Sequence, residues 1–340
     1  MATKTSNALT LADWAKRQDP NGNTAQIIEL LSERNEILED MLFMEGNLAT
    51  GHRITQRTGL PAVAYRKMNQ GVPNSKSKTA QITESTAMLE GRMEVDQAEA
   101  ELGGNVGSYL QGESGSFGES MNQTMAETLF YGASTTAQEF VGFSERYSDL
   151  NAENGQNIID AGGTGSDNCS VWLIGWGADT ISGIYPKGSS AGLSMEDLGL
   201  GDAFDDDGNR FRAYMSHWKW DNGLCIKDWR FGVRIANVDI SDLQGQSGTQ
   251  AATAETALIK LMTRAFARLP RMSGVKLSFY APRTVCEMLR VAAQDKSANV
   301  LNVEQSTNQF GQDIFTLRFM GTPVRIVDKL SLTEERVVGS

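Results

Sequence analysis

The spacing of apolar residues changes repeatedly along this chain, and each change predicts an element. From Ala25 to Phe43 they recur at Ile27, Ile28, Leu30, Leu31, Ile37, Leu38, Met41 and Leu42. That is the three-to-four spacing of an amphipathic helix, with Asn23 or Thr24 placed to cap it. Upstream, Leu9 to Arg17 reads as one short helix that Asp19-Pro20-Asn21-Gly22 must end, so the first two dozen residues form an arm. Leu60 to Met68 is strand-like, Asn69 to Lys78 is a polar turn region containing Gly71, Pro73 and Asn74, and Thr79 to Met93 reads as the returning strand. Together they predict a long two-stranded projection. Such a hairpin is only marginally stable alone in water, so another surface must support it.

Between Asp96 and Tyr131 the pattern turns helical, with Leu110, Phe117, Met121, Met125 and Leu129 near a four-residue spacing. Gly103, Gly104, Gly107, Gly112, Gly115 and Gly118 weaken it by about 1 kcal/mol each against Ala, so the helix is firmest after Gly118. Val171 to Trp176, Thr180 to Tyr185, Phe211 to Trp220 and Leu224 to Ile235 are aromatic and β-branched, and predict an antiparallel meander. Asn222-Gly223 between the last two is a strong hairpin signal. Past Asp242 a polar linker, Gln244 to Thr253, leads to a helix at Ala254 to Arg268, a strand at Val275 to Tyr280 and a helix at Pro282 to Ala293. Strands at Ile314 to Phe319 and Pro323 to Val327 complete a second, α/β-like unit, and the class as a whole is α+β.

With 340 residues and 40% apolar content the chain can bury one large core or two modest ones. A net charge of −11 argues against general binding to nucleic acid or anionic lipid. The distribution of charge changes this picture. Gly46 to Thr83 holds Arg53, Arg57, Arg66, Lys67 and Lys76 and Lys78, and no Asp or Glu. Removing those six positive charges from a chain of net −11 leaves −17 on the rest. Three readings are open: a solvated charged face, a nucleic-acid clamp, or an electrostatic contact with an acidic neighbour. One basic protrusion on an acidic body favours pairing between copies. A clamp is disfavoured by the scarcity of stacking aromatics, Tyr65 apart.

Candidate chemistry is thin. His52 and His217 stand far apart in sequence, neither beside a Cys or second His, and His217 within Met215-Ser-His-Trp-Lys-Trp220 reads as a strand residue among aromatics. Asp202 to Asn209 suggests a calcium loop, but setting Gly208 at the sixth position puts Ala203 first and Tyr214 last, where Asp and Glu are required. An acidic turn before Phe211 is the better account. Neither a phosphate-binding glycine loop nor a G-x-S-x-G elbow occurs. Cys169, Cys225 and Cys286 are odd in number and widely spaced, and read as buried thiols. Met1 to Arg17 lacks the apolar core of a signal peptide, and no run reaches the roughly 18 apolar residues of a membrane span, so a cytosolic product is expected.

Several runs resemble a known family. They are Leu11-Ala-Asp-Trp-Ala-Lys16, Ile27-Ile-Glu-Leu-Leu31, Asn35-Glu-Ile-Leu-Glu-Asp-Met41, Glu45-Gly-Asn-Leu48, Thr58-Gly-Leu-Pro61, Leu129-Phe-Tyr-Gly132, Asn154 to Asp167, Tyr185-Pro-Lys-Gly188 and Lys227-Asp-Trp-Arg230. They spread over roughly residues 10 to 240 and are similar to major capsid proteins of tailed bacteriophages with the Hong Kong 97-type fold. The resemblance implies a non-enzymatic shell subunit without cofactor or metal, assembled in the bacterial cytoplasm and residing in the virion. It divides the chain into an N-terminal arm and helix (1–45), an extended loop (46–93), a peripheral domain with spine helix and sheet (94–243), and an axial domain (254–340). The usual family order inserts the axial domain before the last peripheral strands. Here the chain stops soon after Val327 with no room for a return, so permuted connectivity is expected.

The partners implied are further copies of itself in hexamers and pentamers, a portal protein at one vertex, a separate scaffolding protein, a decoration or cement protein, and packaged DNA held by weak non-specific contact. Arg53, Arg57, Arg66, Lys67, Lys76 and Lys78 are expected to pair with Glu94, Asp96, Glu99 and Glu101 of the adjacent body. Some members cross-link through a loop lysine, for which Lys67, Lys76 and Lys78 are available, but no acidic catalyst can be assigned, and none is expected to react. Two other readings remain: an encapsulin-like compartment, which packages protein rather than DNA, and a soluble α+β enzyme using carboxylates, which would run as a small oligomer.

Overall fold

The computed structural model describes residues 33–102, 104–205, 208–244, 248–294, 301–307 and 313–339. A single helical turn, α1 (Ile37–Asp40), leads into β1 (Phe43–Glu45), β2 (Gly51–Gly59) and the nineteen-residue β3 (Lys78–Asp96). Helices α2 (Gln97–Leu102), α3 (Val106–Tyr131) and α4 (Phe143–Arg146) follow. Then come β4 (Ile158–Asp160), β5 (Asn168–Trp176), β6 (Ile181–Tyr185), β7 (Ser194–Phe204), β8 (Arg210–Ile226) and β9 (Gly232–Asp239). The last part holds α5 (Ile240–Leu243), α6 (Gly248–Arg268), β10 (Lys276–Ala281), α7 (Arg283–Gln294), β11 (Leu301–Thr307), β12 (Asp313–Phe319) and β13 (Thr322–Ile326).

Two cores lie against the sheet. In one, Leu258, Met262 and Phe266 of α6 and Val285 and Leu289 of α7 cover Val171, Leu173, Val233, Ile235 and Phe279. In the other, Met125, Leu129 and Phe130 of α3 meet Phe143, Tyr147, Trp172 and Trp176. Each such fully buried side chain contributes about 1.5–3 kcal/mol of transfer free energy. Strand β5 alternates between them, Val171 and Leu173 facing one core and Trp172 and Ile174 the other, which explains why all nine of its residues are buried. It hydrogen-bonds to β10 on one side and β9 on the other. The sequence boundary between 94–243 and 254–340 is therefore crossed by one ladder and by both cores, the second of which also holds Tyr280, Val327, Leu330 and Val337.

Several expectations are corrected. The helix foreseen from Ala25 to Phe43 is, over its described residues, the one turn of α1; residues 25–32 and the arm lie outside the described residues. Met41 is extended because Phe43–Glu45 pairs in parallel with Gly183–Tyr185. Leu60–Met68 forms no strand. The hairpin expected at Asn222-Gly223 does not exist, since β8 runs straight through, flanked by β3 and β6. A Cβ on Gly223 would lie 2.8 Å from the Ser85 carbonyl oxygen, so glycine permits a close strand approach here rather than a turn. The actual hairpin joins β7 to β8 through the acidic Asp205–Asn209 turn, where Asp205 accepts from the Asn209 amide at 2.7 Å. Helix α3, capped by Asn105, lies within the span Asp96–Tyr131 read as helical.

The end of the chain also departs from expectation. Rather than stopping without a return, residues after Val327 cross back over α3 and β5, bridging Asn168 with Glu334 and Asp149 with Val338. Glu334 is buried there beside Arg234 at 2.8 Å, and accepts hydrogen bonds from Tyr131 Oη at 2.6 Å and from Ser170 Oγ. Val337 is pinned by Asn237, whose amide both donates and accepts at 2.9 and 2.8 Å.

Near the start, Asp40 is buried against Lys276 at 2.8 Å and Arg325 at 3.1 Å, and accepts from Tyr280 Oη at 3.0 Å. Burial raises its carboxyl, but the Lys276 bond, the Arg325 charge and the Ser278 and Tyr280 hydroxyls outweigh it and leave the pKa below the ordinary 3.8. A depressed folded-state value stabilises the fold above about pH 3.8, a contribution lost as pH falls through the lower value. Asp40→Asn should cost about 1.5–3 kcal/mol at pH 7 and flatten the acid-side decline of the denaturation midpoint. An unchanged pH slope would remove Asp40 from that response.

Candidate inter-subunit interface

Strand β3 has two partners in succession. Its first part, Lys78–Ser85, pairs with β2, and the rest, Thr86–Asp96, pairs with β8. At about 3.3 Å per residue the strand spans roughly 60 Å, so the projection is a continuation of the body sheet. Where the two ladders meet, Arg146 grips Glu84 through two parallel bonds of 2.8 and 2.6 Å, with both side chains largely sheltered. Gln56 donates to the Lys227 carbonyl at 2.9 Å, and Ile54 packs with Ile184 and Cys225. The root of the projection is thus fixed, and the pairing of Glu84 with Arg146 is one that sequence reasoning missed. The two are 62 residues apart, and only the fold brings them together.

Beyond this root no described residue covers the loop. Residues 60–77 are exposed throughout, with Leu60 at 82%, Val63 at 90%, Tyr65 at 108% and Met68 at 93% exposure. Arg53, Arg57, Arg66, Lys67, Lys76 and Lys78 are all exposed. Arg53 reaches Thr83 Oγ1 at 3.3 Å, and none of the six forms an ion pair with a described carboxylate.

The four expected acceptors lie at the far end of β3 and differ among themselves. Glu94 is exposed. Asp96 accepts from the Ala98 amide at 2.8 Å, tying down the first turn of α2, and Glu101 accepts from Gln97 at 2.7 Å. Glu99 is buried and accepts from Tyr109 Oη at 2.9 Å, so it is occupied within its own chain.

The residues that drew attention for chemistry have structural surroundings. His217 sits opposite Arg92 in the β3–β8 ladder, 3.2 Å from Glu90. The three cysteines are buried thiols, as their spacing implied; burial lifts Cys286 to about 12 and Cys225 to about 11, and raises Cys169 as well. Among the described residues no helix is long and apolar enough to cross a membrane.

A long strand shared between a projection and a body sheet, a 26-residue helix along it, and a two-helix α/β unit define the Hong Kong 97-type shell fold of bacteriophage capsids. The model of the family "major capsid protein GP7" matches residues 19–338, and the chain belongs to that family. It is a major capsid protein, a structural subunit of an icosahedral phage shell, and its place is the virion. Among solved structures it is similar to bacteriophage Epsilon15, at 27% identity and a TM-score of 0.77 over 100% of both chains. The capsid of bacteriophage JBD30 aligns at 10% identity and a TM-score of 0.48, over 88% of this chain and 92% of the other. No curated protein matched the sequence.

Proposed function

We propose that this subunit closes its shell by laying the loop of residues 46–93 over an adjacent copy, in hexamers and pentamers. The observation that carries the reading is the loop itself: eighteen residues, 60–77, wholly exposed, bearing Arg66, Lys67 and Lys76 and several bare apolar side chains. A segment this apolar and this charged, on a hairpin too weak to stand alone, acquires its stability from a neighbour. In this reading α3 is the spine of the peripheral part and the unit of α6, α7 and β10 faces the capsomer axis. The subunit performs no catalysis and forms no covalent cross-link. A portal at one vertex, a separate scaffolding protein, a decoration protein and weak non-specific contact with packaged DNA complete the partners. The net charge of −11 supports the last, because a basic lining would bind phosphates and resist packaging.

Trypsin tests the reading directly, since the loop supplies its own cleavage sites. The free subunit should be cut at Arg66, Lys67, Lys76 and Lys78, and assembled shells should be protected at those bonds at least tenfold. Equal cleavage in both states would show that no neighbour covers the loop.

A further inference from the structure

The cations of the loop need carboxylates on another copy, and Asp96, Glu99 and Glu101 are engaged within their own chain. A different surface offers what they leave unmet. Strand β7, eleven residues long, hydrogen-bonds to β8 alone among the described residues, so its outer edge is open. From Gly188 to Asp205 the chain has four carboxylates, Glu196, Asp197, Asp202 and Asp205, and not one Lys or Arg. Asp202 is met by Arg212 of its own hairpin at 3.2 Å, while Glu196 and Asp197 are exposed and form no ion pair with a described cation. Met195, Leu198, Leu200 and Phe204 are exposed on the same strand at 50, 48, 37 and 59%. A long open edge bearing bare apolar side chains invites another strand, and proteins commonly guard such edges with lysine or proline. Strand β7 carries neither, and its one irregularity is a bulge between Asp197 and Gly199, where Gly199 takes a φ of +70°.

The loop is the counterpart in each respect. Ala62 to Met68 contains no Pro or Gly, holds Val63 and Tyr65 of high strand propensity, and is paired into no strand among the described residues. It presents Val63, Tyr65 and Met68 with Arg66 and Lys67 between them. We propose that the open edge of β7 receives the segment Ala62–Met68 of a neighbouring copy, adding it as a strand with Arg66 and Lys67 against Glu196 and Asp197. The inference rests on the reading that the loop crosses to a neighbour, and names where it lands. Two loops repel each other, as do two β7 edges, so only loop-to-edge contact satisfies both surfaces. A contact between unlike surfaces is heterologous, and a heterologous contact repeated by rotation closes a ring, which is the form of a capsomer.

The test replaces Tyr65 with the photo-crosslinking residue p-benzoylphenylalanine in nitrogen-15-labelled subunits, assembled into shells with an excess of unlabelled wild-type copies. Tyr65 is fully exposed, so the substitution leaves the fold alone. After irradiation, tryptic mass spectrometry should find the cross-link on the unlabelled peptide between Lys187 and Arg210. A cross-link to another segment of an unlabelled copy would overturn this assignment and leave the loop reading standing. Cross-links confined to the labelled chain, or no cross-link in intact shells, would overturn both.

Discussion

Subunits carrying Arg57→Glu and Arg66→Glu together should fold normally and fail to close into shells. Both side chains are exposed, neither is paired with a described carboxylate, and neither contributes to a core, so the stability of the isolated subunit should move by less than about 0.5 kcal/mol. Assembly is another matter. One exposed ion pair is worth only about 0–1 kcal/mol, yet each reversal converts an attraction into a repulsion, and every copy in the shell repeats it. A loss of roughly 1.4 kcal/mol per contact raises the concentration needed for assembly about tenfold, and the double reversal should exceed that. Sizing chromatography should show folded, unassembled subunits where the wild type gives particles. Wild-type yields of intact particles in negative-stain micrographs would count against the loop assignment.

The second large effect concerns the subunit itself. Glu334→Ala removes one partner of a buried pair whose side chains are 4% and 6% exposed, and leaves Arg234 as an uncompensated charge beside Trp172. The same carboxylate accepts from Tyr131 and Ser170, so two further donors lose their partner. Breaking such a pair costs about 3–5 kcal/mol, a large part of the margin by which a typical domain is folded. The denaturant midpoint of the isolated subunit should fall accordingly, and residues 330–338 should become accessible to proteases before the rest. A change under about 1 kcal/mol would mean that the terminal segment is held by its other contacts, among them Asn237 with Val337 and Tyr131 with Ser331. Replacing the pair by apolar residues of similar volume is a separate matter, because two such groups need no mutual compensation.

What could be read in the sequence was what local pattern decides. The aromatic and β-branched run Val171–Trp176 and the four-residue spacing of Met121, Met125 and Leu129 survived folding, because those side chains meet a core through the periodicity of their own element. The cationic projection was legible for a similar reason, since a run without a single acid is a property of the chain. Asn222-Gly223 misled because the turn signal is local, whereas β3 and β6, distant in sequence, hold both sides of β8 and keep it straight. Strand β7 was missed because glycine and aspartate interrupt any alternation, and its pairing with β8 makes it a strand. Leu60–Met68 reads as strand-like yet joins no strand among the described residues. Among the candidate site residues, the six cations are exposed. Glu99 was lost to Tyr109, a partner only the packing of α2 and α3 supplies.

The sharing of β3 between loop and body has a mechanical consequence. A neighbour that pulls on the loop pulls along the strand axis, and the load passes to the eleven residue pairs from Thr86–Gly223 to Asp96–Ala213. Bonds in an antiparallel ladder lie perpendicular to the strands, so a force along β3 shears them together instead of unzipping them one at a time. A shell built from such subunits gains a joint whose strength grows with its length.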